Sequence, residues 1–414
     1  MPPAFYGWRI VATAFAILFT AYGAQYSFGV FFAALLEEFH WSRASLAGVF
    51  SVYAFCYCAF GFPAGRLSDA FGPRRVIAVG GAILGLAMVT MALVHALWQP
   101  YVVYGLFAAA GMGTAYVPCN STVVKWFVRH RGLAAGLANT GASVGTLVLP
   151  PLAQLAVSGL GWRGAYVVFG VLVALVINLA APLMRRDPGV LGLYPDGAAT
   201  PPLSGRDGAR SLRLAEALRT RAFWMLGVAF SATWIPVFIP LVHLVPFARD
   251  LGHSPLAAAS AISATGAGAL VGRLAMGWLS DRIGRRPTIM LAMLMQAISF
   301  VAFTAARELP ALYATAFVFG YSYGTISTLF SAIIGDFFGH AHAGTLVGFL
   351  FMLSGSMGSW GPLAAGALYD ATGSYYRAFV LAAVLNLVAI GLLAACRPPR
   401  LRYTPQPDHR GERR

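Results

Sequence analysis

Charge is what this sequence has least of. Asp, Glu, Lys and Arg make up 10% of its 414 residues, against about 25% in a soluble domain. Lysine is reduced to Lys125, and the long apolar stretches hold almost no acid, Asp336 standing at the end of one. Cysteine is scarce too: Cys56, Cys58, Cys119 and Cys396 show no metal-ligand spacing and read as small apolar side chains in helices. Nowhere do a nucleophile and base, a metal cluster or a phosphate-binding loop come together, so an enzyme would lack its chemistry and no cofactor is implied. The net charge of +15 would suit nucleic acid only if it lay on one face of a soluble domain. It lies instead in short turns between apolar runs, which excludes nucleic acid as a partner and points to loops beside a lipid bilayer.

What the sequence does have is apolar length. Fifty-eight per cent of it is hydrophobic, more than a soluble fold of this size can hide. Twelve runs approach the ~20 residues that a helix needs to span lipid. Six cover Ile10 to Leu35, Leu46 to Leu67, Val76 to Leu97, Tyr101 to Val124, Leu133 to Val157 and Ala165 to Met184. Six more cover Phe223 to Phe247, Leu256 to Leu279, Thr288 to Ala306, Ala311 to Ile334, Leu346 to Leu368 and Phe379 to Ala395. The first run is too long for the core of a signal peptide and no cleavage pattern follows it, so it is expected to remain as a span. The class is an all-α membrane protein. Its expected organisation is a six-helix bundle over 1–184, a linker over 185–221, a second bundle over 222–396 and a disordered basic tail over 397–414. The linker is rich in Pro, Gly and charge, with a short amphipathic helix expected at Ser211 to Arg219.

Arginine gives the orientation. Only Arg43, Arg163, Arg249, Arg307 and Arg377 fall on one side of the membrane; the other side collects the remaining loop, linker and tail cations. That excess places both termini and the linker in the cytoplasm of a multi-pass inner-membrane protein. The chain also repeats itself. Gly65-Arg66-Leu67-Ser68-Asp69-Ala70-Phe71-Gly72-Pro73-Arg74 lines up with Gly277-Trp278-Leu279-Ser280-Asp281-Arg282-Ile283-Gly284-Arg285-Arg286, 277 less 65 or 212 residues later. Two parallel halves around a central site is an architecture of transporters.

One cation escapes the loops. Arg273 lies in the run from Ser263 to Arg286, eight residues before Asp281, or about 12 Å along a helix. At that depth in a ~30 Å hydrocarbon core an arginine costs roughly 2.5–3.5 kcal/mol and faces a cavity or a partner. Its own helix offers no acid, and the other runs are short of one. A guanidinium is a planar fork of donors that matches a carboxylate, so an anionic ligand is the reading preferred over a structural bridge. Tyr22, Gln25 and Tyr26 in the first run, Tyr116 in the fourth, Asn139 in the fifth and Tyr321 and Tyr323 in the tenth could complete a polar-aromatic site. His243 in the seventh run is suited to titrate near neutral pH and is the candidate carrier of a coupling proton.

The repeated G-x-L-S-D-x-x-G-x-R pattern resembles the signature loop of the major facilitator superfamily. Its second copy is complete, whereas the first has Ala70 where the family usually has a basic residue. The resemblance implies two six-helix bundles rocking about a midplane site, with Asp69, Arg74, Asp281, Arg282, Arg285 and Arg286 as gate residues. Trp126-Phe127-Val128-Arg129-His130-Arg131-Gly132 and the helix after it, through Asn139-Thr140-Gly141, resemble monocarboxylate porters and their oxalate/formate-exchanger relatives, as does Tyr6-Gly7-Trp8. Arg273 falls where that family places the arginine that meets the substrate carboxylate. Two familiar positions differ: Ala269 stands for an aspartate one turn earlier, and Gln25-Tyr26 stand where a lysine is common. The eleventh run has no Lys or Arg, so a monoanion fits better than a dicarboxylate. The expectation is a monomeric secondary transporter of a small monocarboxylate, with a proton as co-substrate. An oxalate/formate-type anion exchanger is the alternative, followed by a drug/proton antiporter, whose G-P-x-x-G-G pattern the fifth run lacks.

Overall fold

A computed structural model describes residues 5–198, 211–339 and 342–399, leaving aside the side chains of 62, 277, 278 and 343. The expected tail from 397 therefore falls almost wholly outside the described residues. Helix accounts for nearly all of the rest, because apolar backbone in lipid must satisfy its own N–H and C=O groups.

The first six spans are α1 (Tyr6–Phe39), α2 (Arg43–Phe71), α3 (Pro73–Met91), α4 (Trp98–Trp126), α5 (131–160) and α6 (162–180). The last six are α7 (Arg221–Asp250), α8 (Pro255–Ile283), α9 (Arg285–Ala305), α10 (Leu309–Phe338), α11 (Gly344–Thr372) and α12 (Tyr376–Ala395). Arg131–Ala180 is helical over 50 residues except at Gly161, where φ is 70° and ψ 167°. Fifty residues would reach about 75 Å, well beyond one bilayer crossing. Gly161 adopts a backbone conformation that essentially only glycine takes, and it divides the stretch into α5 and α6. A break also occurs in α1 at Ser27, whose hydroxyl donates to Gly23 O (2.8 Å) beside its own N–H (3.1 Å).

The 212-residue repeat is a repeat of whole helices. α2 and α8 each have 29 residues. Ser42 caps the first by accepting from Ser45 N–H at 3.1 Å, and Ser254 caps the second by accepting from Ala257 N–H at 3.4 Å. At the other ends stand Gly72 (φ 83°) and Gly284 (φ 90°), each sending its N–H 3.0 Å to a serine carbonyl four residues back, Ser68 or Ser280. The second glycine of each motif copy is therefore required by positive φ at a helix end.

Apolar side chains also cover the outside. Leu86, Leu93, Leu160 and Leu179 are 61–75% exposed, an apolar skin of the kind lipid covers rather than water. The chain is a multi-pass membrane protein. The face that carries the start of α1 and the 185–221 connection is called here the near face, and the opposite one the far face. On the near face the described parts of the connection form short turns and a helix at Leu214–Ala217. There Asp196 is half-buried. Burial works against its charge, but the backbone N–H groups of Arg129 (2.7 Å), Val128 (2.9 Å) and His130 (3.3 Å) and the His130 ring outweigh it, holding the carboxyl below its usual range.

Candidate functional site

Close helix packing creates the site. On α8, Gly268 and Gly272 abut the backbone of Phe317 and Tyr321 on α10, and Gly320 and Gly324 return the contact against Thr265 and Ala269. A Cβ at any of the four would run into main chain. Small residues that bring backbones together are how helices associate in lipid, and here they fix the azimuth of the next α8 residue, Arg273. α8 ends at Ile283, so Arg273 is ten residues, about 15 Å, inside it. It is somewhat deeper than a helix ending at Asp281 would make it. Across the interface, Gly266 lies against the backbone of Thr146 and Leu147 on α5. The Arg273 Nε–H donates to Ser143 Oγ of α5 at 3.0 Å.

Arg273 lines a cavity of about 540 Å³, open mouth included, together with Tyr22, Gln25, Tyr26, Tyr116, Asn139 and Tyr323. These residues come from α1, α4, α5, α8 and α10, and the structure brings together seven of the eight expected binding residues. The eighth, Tyr321, is not in this wall; its backbone is the surface on which Gly272 packs. Sequence reading missed Tyr57, Trp234, Ser327 and Phe351, which also line the cavity. Ser327 was legible as the residue one turn beyond Tyr323. Tyr57 shares α2 with Tyr53 at the same spacing, but nothing local marked Trp234 or Phe351.

Several of the polar groups satisfy one another. Tyr22 and Tyr57 hydroxyls are 2.7 Å apart, and those of Tyr26 and Tyr323, which join the first six spans to the last six, are 2.8 Å apart. Tyr53 donates to Gln25 Oε1 at 3.2 Å. Asn139 donates to Asn120 Oδ1 at 2.6 Å and to Ala135 O at 2.8 Å, tying α5 to α4. Arg273 is different. Among the described residues no carboxylate pairs with it, and its described hydrogen bond runs through Nε alone. Its counterpart by the repeat, 273 less 212, is Gly61. Among the described lining residues Arg273 is thus the one cation, supplied by one half.

His243 lies elsewhere, buried at the far face. Nε2 is 2.9 Å from Pro362 O, which can only accept, so Nε2 carries the proton. Nδ1 then accepts from Tyr375 Oη at 2.9 Å. That hydroxyl accepts in turn from Arg43 Nη1 at 2.8 Å. Arg43 is the centre of a clamp across the halves. It is bidentate to Asp250 (2.8 and 2.7 Å), and its Cζ lies 3.8 Å from the Tyr369 ring centroid. Asp370 accepts from the N–H groups of Arg43 (3.1 Å) and Ala44 (2.8 Å) at the start of α2. Arg249 and Glu37, 2.5 Å apart, add a second bridge. Both bridging arginines were assigned by sequence only to topology.

The expected gate residues sit at the near face. Asp69 pairs with Lys125 at 2.8 Å within the first six spans. Arg285 pairs with Asp336 and Arg286 donates to Ala394 O, both within the last six. Asp281 and Arg282 are exposed at the end of α8, and Arg74 is exposed at the start of α3.

The family model described as Major Facilitator Superfamily matches residues 14–248 and 222–413. Monocarboxylate transporter 13 of Bos taurus is 32% identical over 95% of this chain and 89% of its own length. Monocarboxylate transporter 11 of Homo sapiens is 31% identical over 96% and 86%. Among solved structures, a bacterial homologue of the human lysosomal transporter Spinster, in an inward-facing and unoccupied conformation, aligns with a TM-score of 0.72 at 16% identity, covering 95% of this chain and 97% of that one. With the repeated loop, the paired helices and these matches in agreement, the chain belongs to the major facilitator superfamily, as a relative of its monocarboxylate transporters.

Proposed function

We propose that this chain is a carrier, not an enzyme, that moves a small monocarboxylate across the bacterial inner membrane by alternating access. Residues 1–184 and 222–396 are the rocking bundles, 185–221 is their linker, and the near face is cytoplasmic, as its arginine excess argues. The monomer is the working unit. The observation that carries the reading is Arg273: a cation inside the spans that lines a cavity shared by both halves and has no carboxylate partner among the described residues. A carboxylate ligand supplies the missing charge and takes two parallel hydrogen bonds. Tyr26, Tyr323 and Gln25 stand within the same wall to orient it, and Ser143 holds the guanidinium in place through Nε. The relatives are monocarboxylate transporters by name, which supports this cargo.

A proton travelling with the anion would let the loaded carrier cross without net charge. A second reading, anion exchange without a proton, has one observation in its favour. The described lining residues include no carboxylate or imidazole, and His243 has both ring nitrogens engaged at the far face. Proteoliposome uptake under an imposed pH gradient, with and without internal counter-substrate, separates the two: symport responds to the gradient, exchange to the counter-substrate.

For the site itself, Arg273→Ala and Arg273→Lys are the test. Removing a charged hydrogen-bond partner costs about 1.5–3 kcal/mol, so substrate KM should rise roughly 10- to 100-fold. Lysine should restore little, because it lacks the fork. Normal transport by Arg273→Ala would refute the assignment.

A further inference from the structure

Most of the cavity wall is not polar. Phe351 on α11 is its hub. Its ring centroid lies 5.8 Å from that of Tyr116, nearly parallel at 17°. It meets Tyr57 at 6.1 Å and Trp234 at 5.3 Å, edge to face at 86° in each case. Tyr57 and Tyr116 belong to the first six spans, Trp234 and Phe351 to the last six. Resting on the carboxylate reading above, we propose that the cargo carries a planar apolar body, an arylcarboxylate of about phenylacetate size. Its ring packs against Phe351, Trp234, Tyr57 and Tyr116 while Arg273 holds its carboxylate.

Three observations converge. First, the space is unequal. A second chamber of about 250 Å³, open mouth included, shares Arg273, Tyr26 and Tyr323 and is otherwise lined by small or aliphatic residues, Ser143, Thr146, Thr265 and Ala269 among them. The aromatic chamber, about 540 Å³ on the same measure, is the larger of the two, so the greater space beside Arg273 is the one walled by rings. Second, the Tyr22–Tyr57 and Tyr26–Tyr323 hydroxyl pairs each spend one proton internally. Beyond the polar capacity that remains, this wall offers a cargo ring carbon, and aromatic faces and edges pair best with another ring. Third, the rings come from both halves. A flat body against them contacts both bundles at once, a contact neither bundle offers alone, and such differential contact is what lets a ligand bias a conformational change.

The experiment uses the full-length chain in proteoliposomes and four labelled acids: phenylacetate, cyclohexylacetate, L-lactate and acetate. The expected result is a KM for phenylacetate about ten-fold or more below that for lactate, with cyclohexylacetate between them. Phe351→Ala should raise the phenylacetate KM about ten-fold more than the lactate KM. Phe351→Leu, which keeps bulk and loses the ring, should shift the ratio in the same direction by less. If neither variant inserts, the wild-type KM ratio decides, supported by a larger Tm rise of the purified chain with phenylacetate than with acetate. A lactate or acetate KM equal to or below that of phenylacetate would overturn this proposal and leave the carboxylate carrier standing. Uptake of none of the four acids, or undiminished uptake by Arg273→Ala, would bring down the carboxylate reading and this proposal with it.

Discussion

The two faces of the bundle use their charges in different ways. At the far face most of the described charge contacts join the halves: Arg43 grips Asp250 across the interface, Asp370 caps the start of α2, and Arg249 meets Glu37, while Arg163–Glu38 stays within the first six spans. At the near face the described pairs Lys125–Asp69 and Arg285–Asp336 each stay within one half. The central far-face cation is also drier, Arg43 being 15% exposed where Lys125 is 40%. An ion pair gains strength as water is excluded, while an exposed pair is screened. The described far-face contacts therefore tie the halves together, while the described near-face pairs each lie within one half. A carrier needs this asymmetry to be reversible. The clamp must be strong enough to keep one state populated and weak enough for a ligand's differential contacts to break it.

The largest effect is expected at Arg43. Arg43→Ala removes the bidentate pair, the Tyr375 hydrogen bond and the ring contact in one step, leaving Asp250 without its cation. A loss of about 2 kcal/mol is expected, a shift of roughly 30-fold in the ratio of far-open to far-closed carrier. Spin labels placed across the far face would report it as a longer distance distribution, and an unchanged distribution would show that the clamp does not hold the state. Asp370→Asn tests a smaller part of the same clamp. Its carboxylate acts as a second cap on α2 supplied by the other half, so its loss should resemble loss of a helix cap, about 1 kcal/mol and a several-fold shift by the same labels.

How much of this was legible follows the distance over which each feature is encoded. The spans, the 212-residue repeat and Arg273 are local patterns, read from run length, glycine spacing and one misplaced charge. Gly72 and Gly284 announced helix ends because a positive φ has to be met on the spot. The clamp was hidden, since Arg43 and Asp250 are 207 residues apart and each, taken alone, looks like a loop charge. His243 was visible as a titratable group, but its two partners, Pro362 and Tyr375, come from the other end of the chain. Trp234 and Phe351 sit in helices already full of apolar residues, and only the meeting of both halves distinguishes a cavity wall from a lipid face.

A smaller effect is expected where the linker meets the first bundle. Asp196 gathers three backbone N–H groups just ahead of α5, and its carboxyl is held below the ordinary range. A depressed folded value stabilises the fold above the unfolded carboxyl pKa and loses that contribution as pH falls through the folded one. Asp196→Asn should thus lower Tm slightly at neutral pH, and the gap to the parent chain should close on acidification. A gap independent of pH would deny the carboxylate its part in anchoring the linker.

The smallest effect sharpens the contrast rather than breaking it. Lys125 and Asp69 are 40% and 65% exposed and lie on α4 and α2 of one bundle. Exposed pairs contribute about 0–1 kcal/mol, and this one spans no interface that opens. Lys125→Ala should therefore leave the far-face distance distribution where it was and change Tm by no more than a degree or two, in salt-dependent fashion. A large shift in the conformational ratio would mean that near-face charges also set the state, either through bundle shape or through contacts made when the near face closes. The division of labour between the faces would then have to be abandoned, because the two bundles would be sensing charge at both ends.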